Sequence, residues 1–532
     1  MKRVKWLDCT LRDGGYVNDW NFGHSIIIGT YKRLEAAGAD FIEVGFLDDR
    51  REFDINRTIT PNTDGFNEIF KGVEKKHAIP VAMIDYGTCS IDNIGPCDST
   101  FIDGIRVIFK KEKIDIALPY CKQIKEKGYK LFIQAISITS YSDEEMIDYI
   151  KKINEIKPYA FSIVDTYGLL DRSYLKRYFD LFEKYLDPEI SVGYHGHNNF
   201  QLAFSNTMDF LSFESNRQLV ADATIYGMGK SAGNCTSELL TMHMNQKYGT
   251  HYDISQILEA FDTYLAPIYQ KTYWGYRYNF YIAAMQKVHP SYVKYLLDKK
   301  TLSITAINEI LEKIPEEKKL LYDEALIEKL YIKYQSREIN DKSDLAKLKN
   351  ELEGKTILLL GPGSSIKKES TKIKEFINEN HPVAISLNFI PKAYEVEYAF
   401  LSNAKRFNNL VDLYVASKEE APKLLITSNI NSVDWVPHCT FNYQNLINVE
   451  YKNSDNALLL FLTVLNNIGI KRVYLAGFDG FTKDSPDYYD VSKTFAGNET
   501  YRVLTNDVTK HALSEINKSL ETIFITKTLY KD

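Results

Sequence analysis

The feature that most constrains the fold is a repeated unit in the first 225 residues, where a short apolar strand, a polar turn and an amphipathic helix follow one another. Eight such strands are predicted, spaced by roughly 20–35 residues, at residues 4–7, 41–44, 79–83, 104–108, 130–136, 160–164, 191–193 and 219–221. Their nearly continuous apolar runs are typical of parallel strands buried on both faces. Eight regular units favour a closed (β/α)8 barrel, or TIM barrel, over a doubly wound open sheet, which is the structural alternative.

The pattern changes after about residue 250, where helical periodicity replaces the strand–helix alternation. A new α/β pattern begins near residue 356, with further strands predicted at 356–360, 383–387, 424–427 and 472–476. We therefore predict a barrel domain over residues 1–250, a helical extension and linker over 251–350, and a second α/β domain over 351–532. The helical region is expected to cover the barrel mouth or to form a homodimer contact.

Composition narrows the class of protein. A chain of 532 residues is too long for one core. The net charge of −6, without a basic tail, argues against a nucleic-acid partner. There is no apolar leader and no run of ~18 apolar residues, so neither a signal peptide nor a membrane span is expected. The six cysteines form no CxxC pair and are expected to be reduced thiols, which predicts a cytoplasmic protein.

Polar side chains recur where the predicted barrel strands end, which is the edge at which parallel barrels place their chemistry. Arg12 and Asp13 follow the first strand, and His195 and His197 follow the seventh. Histidines two residues apart face the same way on an extended segment. With Asp13 they form a predicted site for a divalent ion, Mn²⁺ or Mg²⁺ first, with Co²⁺ and Zn²⁺ as alternatives. The guanidinium of Arg12 can then steady an anionic substrate.

Three motifs in this order resemble those of the DRE-TIM metallolyase superfamily, and within it the HMGL-like 4-hydroxy-2-oxovalerate aldolases. They are Asp8-Cys9-Thr10-Leu11-Arg12-Asp13-Gly14, His195-Gly196-His197-Asn198, and Asp222-Ala223-Thr224 through Gly227-Met228-Gly229 to Gly233-Asn234. The resemblance covers about residues 1–290. It implies a barrel enzyme that makes or breaks a carbon–carbon bond between a pyruvate-like 2-oxo acid and an aldehyde, through a metal-stabilised enolate.

The resemblance also implies roles for individual residues. Asp13, His195 and His197 match the metal ligands, and Asn234 matches a residue that supports the metal site. Arg12 matches the arginine that stabilises the enolate, so we expect it to bind substrate and to act in catalysis.

Two further residues are predicted to be catalytic. Glu43 matches an acidic residue at the second strand end, and a base, a support for the site and an ion-pair partner of Arg12 all remain open for it. Tyr16 stands where the aldolases place a histidine whose proposed role is that of a base. Because an unperturbed tyrosine has a pKa near 10, the base itself stays open, with His24, Asp85, Tyr167 and a metal-bound water as the other candidates. Gln134 and Thr166, at the ends of the fifth and sixth strands, are predicted to bind substrate.

The second α/β domain opens with Gly361-Pro362-Gly363-Ser364-Ser365 between a strand and a helix. Backbone N–H groups at a helix start favour anions, so Gly361, Gly363 and Ser364 are predicted to bind a phosphate, with an ordinary tight turn as the alternative. This loop and the later Leu475-Ala476-Gly477-Phe478-Asp479-Gly480 are similar to the Rossmann-like domain of bacterial sialyltransferases and 6-hydroxymethylpterin pyrophosphokinase-like proteins. That similarity implies a nucleotide- or sugar-linked ligand.

Three functions remain open on the sequence. The first is a metal-dependent aldolase or lyase, and the second is an acyl-CoA-dependent Claisen synthase of the isopropylmalate or homocitrate type. The third is a non-catalytic barrel with nucleotide- or sugar-linked chemistry in the C-terminal domain. The aldolase ranks above the synthase because no acyl-CoA signature is visible and the C-terminal half differs from the regulatory extension of the synthases.

Overall fold

The computed structural model describes residues 3–299, 302–335, 338–417, 421–430, 435–447, 456–481 and 499–531. The chain divides into two compact units, Met1–Pro290 and Ser291–Asp532. The finer boundaries at residues 250 and 350 stay predictions. Within the described residues, no helix is both long enough and apolar enough to span a membrane.

The first unit is built on a nine-stranded parallel sheet that closes on itself. Its strands are β1 Val4–Asp8, β2 Phe41–Leu47, β3 Ile59–Thr60, β4 Ile79–Asp85, β5 Gly104–Ile108, β6 Lys130–Ala135, β7 Ala160–Asp165, β8 Ser191–Gly196 and β9 Leu219–Ala223. The order is β1-β9-β8-β7-β6-β5-β4-β2-β3, and β1 also pairs with β2. Eight strands therefore form the predicted TIM barrel, and the short β3, which the sequence pattern did not predict, extends from β2.

Helices surround this barrel. They are α1 His24–Ala37, α2 Thr63–Ile69, α3 Ile114–Glu126, α4 Asp143–Ile156, α5 Arg172–Tyr185, α6 Ala203–Ser212, α7 Ser237–Tyr248, α8 Ile254–Ala260, α9 Ala266–Lys271 and α10 Tyr278–Met285. Local sequence sets several of their ends. Ser142 caps α4 by accepting a hydrogen bond from the backbone of Glu145, whose side chain accepts one from the backbone of Ser142 in return. A single turn of π-helix, Phe261–Leu265, joins α8 to α9.

Side-chain alternation along the strands places an apolar layer and a polar layer in the barrel interior. An apolar layer that includes Phe41, Phe132 and Val220 fills the barrel interior. Two residues further along the same strands stand Glu43, Gln134 and Asp222, each at most 3% exposed. Because the period of a strand is two, these polar side chains face the same interior, one layer closer to the C-terminal end. The barrel therefore has an apolar floor and a polar layer above it.

The second unit contains a seven-stranded parallel sheet, which confirms the predicted second α/β region. Its strands are β10 Ile357–Leu360, β11 Val383–Leu387, β12 Tyr398–Leu401, β13 Lys423–Thr427, β14 Cys439–Phe441, β15 Arg472–Ala476 and β16 Glu521–Phe524, in the order β14-β13-β12-β11-β10-β15-β16. Its helices are α11 Pro290–Asp298, α12 Ile304–Leu311, α13 Glu324–Gln335, α14 Lys342–Leu352, α15 Ser365–Lys368, α16 Ser370–Asn380, α17 Ala404–Ser417, α18 Ala457–Asn467 and α19 Glu499–Ile516. Strands β11 to β14 are added on one side of β10, and β15 and β16 are added on its other side, as in doubly wound folds.

Candidate metal centre

Asp13, His195 and His197 meet at the C-terminal end of the barrel. One potential ligand atom from each lies within 4.8 Å of those of the other two. The three residues are 1%, 4% and 5% exposed, so an ion bound there would be shielded from bulk water. The turn after β1 supplies Asp13, and the end of β8 supplies the two histidines. These elements are neighbours through β9, which pairs with both β1 and β8.

His195 is held between two carboxylates. Its Nδ1 lies 2.9 Å from Oδ2 of Asp222, and its Nε2 lies 3.5 Å from Oδ2 of Asp13. Burial alone would lower the pKa of His195, but its hydrogen bonds with Asp13 and Asp222 outweigh burial and raise that pKa. Asp222 therefore orients the ring so that Nε2 faces the ligand cluster, which is how carboxylates orient metal-binding histidines.

His197 has a different environment. Its ring centroid lies 5.1 Å from that of His195. Its Nδ1 is buried and has no hydrogen-bond partner in the part of the chain that the structure describes. Burial lowers the pKa of His197 to about 3, so the imidazole is neutral at physiological pH. A neutral imidazole with an unused lone pair is the form that binds a metal ion.

Asp13 is fixed by four groups. Its Oδ1 accepts hydrogen bonds from the backbone N–H of Lys230 at 2.9 Å and from Nδ2 of Asn234 at 3.0 Å. Its Oδ2 accepts one from Nη1 of Arg12 at 2.6 Å and lies near His195. Burial opposes ionisation of Asp13, but the charge of Arg12 and the hydrogen bond with His195 outweigh it and hold the pKa well below its usual range. Asp13 is therefore an ionised carboxylate.

The loop after β9 closes around this carboxylate. A Cβ added to Gly229 would lie 2.0 Å from Nδ2 of Asn234 and 2.6 Å from Oδ1 of Asp13, so no larger residue fits there. Oδ1 of Asn234 is buried and unpartnered within the described residues. Two buried polar atoms without a partner among the described residues, Nδ1 of His197 and Oδ1 of Asn234, thus accompany an ionised carboxylate, and this set of residues fits a divalent cation.

A network of buried charges lies behind the ligands. Oε2 of Glu43 lies 2.7 Å from Nε of Arg12 and 3.0 Å from Nη1 of Arg106. Arg106 also contacts Asp222 and donates from Nη2 to Oε1 of Gln134 at 3.2 Å. Glu43 therefore forms ion pairs with two arginines, and its role in catalysis stays a prediction. Sequence reasoning assigned no role to Arg106 or Asp222. For Arg106 the available signal was a charged residue inside the otherwise apolar strand at 104–108.

A second group of potential ligands, Cys9, His195 and Asp222, lies nearby. Arg106 donates to Sγ of Cys9 at 3.3 Å and contacts the carboxylate of Asp222. A guanidinium already neutralises this group, so a metal ion there would meet a positive charge at close range. The cluster with Asp13 is therefore the better cation site.

The remaining predicted residues of the barrel lie farther from the ligands. Tyr16 is 42% exposed, and its ring centroid is 4.7 Å from that of Trp20. Desolvation raises the pKa of Tyr16 to about 12, and the charge of Arg12 offsets this only in part. Oγ1 of Thr166 accepts a hydrogen bond from the backbone of Ser137 at 2.7 Å. His24 contacts the carbonyl of Ile69 at 2.8 Å, and its ring is thereby engaged away from the ligand cluster.

The glycine loop of the second unit makes contacts that the sequence did not predict. Its backbone N–H groups at Gly361 and Gly363 donate to the carbonyls of Ala476 and Gly477, both at 2.8 Å. The N–H of Ser365 donates at 2.8 Å to the carboxylate of Asp479, which also accepts a hydrogen bond from the hydroxyl of Ser364. A protein carboxylate thus takes the place where the pattern predicts a phosphate, and anion binding by Gly361, Gly363 and Ser364 stays a prediction.

Comparison with known proteins places the first unit in a family. A family model described as HMGL-like matches residues 3–263. Oxaloacetate decarboxylase from Mycobacterium tuberculosis is 24% identical over 259 residues, which are 48% of this chain and 74% of that protein. 4-Hydroxy-2-oxovalerate aldolase 6 from Rhodococcus jostii is 22% identical over 266 residues, 50% of this chain and 74% of that protein. 2-Isopropylmalate synthase from Methanocaldococcus jannaschii is 27% identical over 275 residues, 49% of this chain and 51% of that protein.

The metal-capable cluster and the barrel agree with these matches. The relatives are named as a decarboxylase, an aldolase and a synthase, so the comparisons include more than one type of reaction. Residues 3–263 are therefore an HMGL-like domain, and the named relatives of this region belong to the DRE-TIM metallolyase superfamily.

Proposed function

We propose that the barrel catalyses metal-dependent aldol cleavage or condensation, making or breaking a carbon–carbon bond next to a pyruvate-like 2-oxo acid. The observation that carries the proposal is the cluster of Asp13, His195 and His197 with the guanidinium of Arg12 directly beside it. Asp13, His195 and His197 would hold a divalent ion, Mn²⁺ or Mg²⁺ on this donor set, which would supply Lewis acidity that favours the enolate form of the 2-oxo acid.

Arg12 stabilises the negative charge of that enolate. Its Nε is bound to Glu43 and its Nη1 to Asp13, which holds the guanidinium rigidly. Its Nη2 donates no hydrogen bond to any residue that the structure describes, so this nitrogen remains for substrate. One such preorganised donor typically contributes about 10²- to 10³-fold to rate.

Other side chains bind substrate or move a proton. Nε2 of Gln134 is buried without a partner among the described residues, and it can donate to a substrate oxygen. The hydroxyl of Thr166 accepts from Ser137 and keeps its own proton for donation. Tyr16, with a pKa of about 12, is protonated at neutral pH. It therefore serves as a proton donor to the alkoxide formed in condensation and is a poor base for cleavage.

Decarboxylation of a 2-oxo dicarboxylic acid is the second candidate, and the state of Tyr16 favours it. Loss of CO₂ leaves the same enolate but requires no base to remove a hydroxyl proton. One of the relatives is an oxaloacetate decarboxylase, which fits this possibility. The Claisen synthase reading ranks third: a synthase is among the relatives, but the matched segment spans only 51% of it.

The decisive experiment measures enolate formation from pyruvate alone, so it does not depend on the identity of the second substrate. Pyruvate is incubated with the full-length protein in D₂O, and deuterium uptake into its methyl group is measured by mass spectrometry. We expect uptake with Mn²⁺ or Mg²⁺, loss of uptake with chelator, and loss with Asp13→Asn. Asp8→Asn is the matched control, because Asp8 is equally buried but bonds to Ser237 and Thr10 instead of the ligands.

Full uptake after chelation and in Asp13→Asn would refute the metal role. CO₂ release from oxaloacetate identifies the decarboxylase, and thiol release from acetyl-CoA with a 2-oxo acid identifies the synthase. A folded protein that shows none of these activities and binds no Mn²⁺ would indicate a non-catalytic barrel.

A further inference from the structure

Lys230 lies at the metal centre. Its backbone N–H donates to Oδ1 of Asp13 at 2.9 Å, which fixes the start of the side chain beside a predicted ligand. The side chain is half-buried, and its Nζ lies 5.4 Å from the ring centroid of Tyr16. The ammonium is attracted by the charges of two carboxylates, Asp13 and Asp85. Asp13 belongs to the ligand cluster, whereas Asp85 is exposed at the end of β4. Lys230 therefore spans from the ligand cluster to the barrel mouth.

The ammonium of Lys230 has no anionic partner in the described part of the chain. The two neighbouring arginines differ in this respect: Arg12 lies between Asp13 and Glu43, and Arg106 lies between Glu43 and Asp222. The side chain of Lys230 is thus partly removed from water without gaining a salt bridge. Contact with an aromatic face is a weaker substitute for an anion, so the site is complete only when a ligand supplies one.

Other cations share the barrel mouth with Lys230. Four positive charges favour the ionised form of the Asp85 carboxylate: those of Lys113, Lys110, Arg50 and Lys230. Arg50 is paired with Asp48 at 2.5 Å, whereas neither Lys110 nor Lys113 forms a salt bridge with any described residue. The mouth thus holds three ammonium groups, those of Lys110, Lys113 and Lys230, that form no salt bridge with a described residue. Unpaired cations at a cleft attract anionic ligands.

We propose that Lys230 is a specificity-determining residue that binds an anionic group, a carboxylate or a phosphate, on the reaction partner of the 2-oxo acid. This inference rests on the proposed function and narrows its substrate class from any aldehyde to one that carries a negative charge away from the reacting carbon.

The position of Lys230 favours the partner over the 2-oxo acid itself. The 2-oxo acid is expected to lie on the ligand cluster beside Nη2 of Arg12, which already offers it a positive charge. The ammonium of Lys230 instead lies over Tyr16, a residue that is 42% exposed and is the proposed proton donor to the new hydroxyl. A group bound by Lys230 is therefore attached to the molecule that receives this proton.

Partner selectivity tests the inference. Aldol formation from pyruvate is measured with succinate semialdehyde and with glyceraldehyde 3-phosphate, each against its uncharged counterpart, butanal and glyceraldehyde. We expect the wild-type protein to favour at least one anionic partner in kcat/KM. Lys230→Met should lower that ratio by about 10- to 100-fold, the range for a lost charge-assisted hydrogen bond, and Lys230→Arg should restore most of it. The preferred pair distinguishes carboxylate from phosphate.

The controls separate this inference from the proposed function. Lys111→Met removes a nearby lysine that is paired with Glu145 and should leave the ratio at its wild-type value. Binding of the same four partners without pyruvate, measured by calorimetry, reports on Lys230 even when no turnover occurs. Deuterium uptake by pyruvate alone tests the proposed function separately. The inference is overturned if uncharged partners bind or react as well as anionic ones, if Lys230→Met keeps the selectivity, or if that variant weakens only pyruvate.

Discussion

Replacement of Asp222 by asparagine tests how the site orients its ligands. Asp222 is 3% exposed and contacts both Nδ1 of His195 and the guanidinium of Arg106. Asparagine keeps the volume but removes the negative charge, so both contacts lose the attraction of an ion pair. We expect weaker metal binding and a less stable fold, although Asp222 is itself no member of the cluster formed by Asp13, His195 and His197.

The expected magnitudes follow from those contacts. Hydrogen bonds to charged groups exceed neutral ones by about 1 kcal/mol each, so two weakened contacts should lower the free energy of unfolding by about 2 kcal/mol. Arg106 retains Glu43 at 3.0 Å and Gln134 at 3.2 Å, which keeps the loss below that of a fully unpaired buried charge. Loss of a carboxylate that orients a metal-binding histidine typically lowers metal affinity about 10- to 100-fold, or about 1.4–2.7 kcal/mol.

Calorimetric titration of the metal-free protein with Mn²⁺ measures the affinity, and urea unfolding measures the stability. The titration is repeated from pH 7 to 9, because His195 has a raised pKa and must lose its proton before it can bind an ion. Asp8→Asn again serves as the control and should retain wild-type affinity. If Asp222→Asn binds Mn²⁺ within twofold of the wild type across this pH range, the argument that Asp222 positions His195 is wrong.

Three further predictions concern other contacts. Gly229→Ala should weaken Mn²⁺ binding by at least tenfold in the same titration, because the added methyl group would overlap Asn234 and Asp13; unchanged affinity would show that the loop relaxes. Burial raises the pKa of Asp8 from 3.8 to about 6, so its stabilising contribution is present below its unfolded pKa and is lost as the pH rises through 6. Urea unfolding from pH 4.5 to 8 should therefore show a decline of about 2 kcal/mol that is absent in Asp8→Asn. Asp479→Asn should destabilise the second unit by about 2 kcal/mol, since it weakens the hydrogen bonds from Ser364 and Ser365; an unchanged urea midpoint would contradict this.

Much of the fold was predictable because its signals are local. The eight barrel strands follow from apolar runs at regular spacing, and the start of α4 follows from a serine with a glutamate three residues later. The short strand β3 was missed because two residues cannot show periodicity. In the second unit, β12, β14 and β16 were also missed, and each is only three or four residues long. The equally short β10 was predicted because a glycine-containing turn directly follows its apolar run.

The sequence by itself determined the kinds of groups at the site and the end of the barrel at which they lie. Strand period and barrel topology place Asp13, His195 and His197 at one edge, whatever the details of packing. Only the tertiary structure decided their partners, because those contacts join residues up to 221 positions apart, as between Asp13 and Asn234. Charge pairing in the interior depends on which strands become neighbours, and no local pattern shows this. That is why the buried arginines have carboxylate partners while the ammonium of Lys230 is left for a ligand.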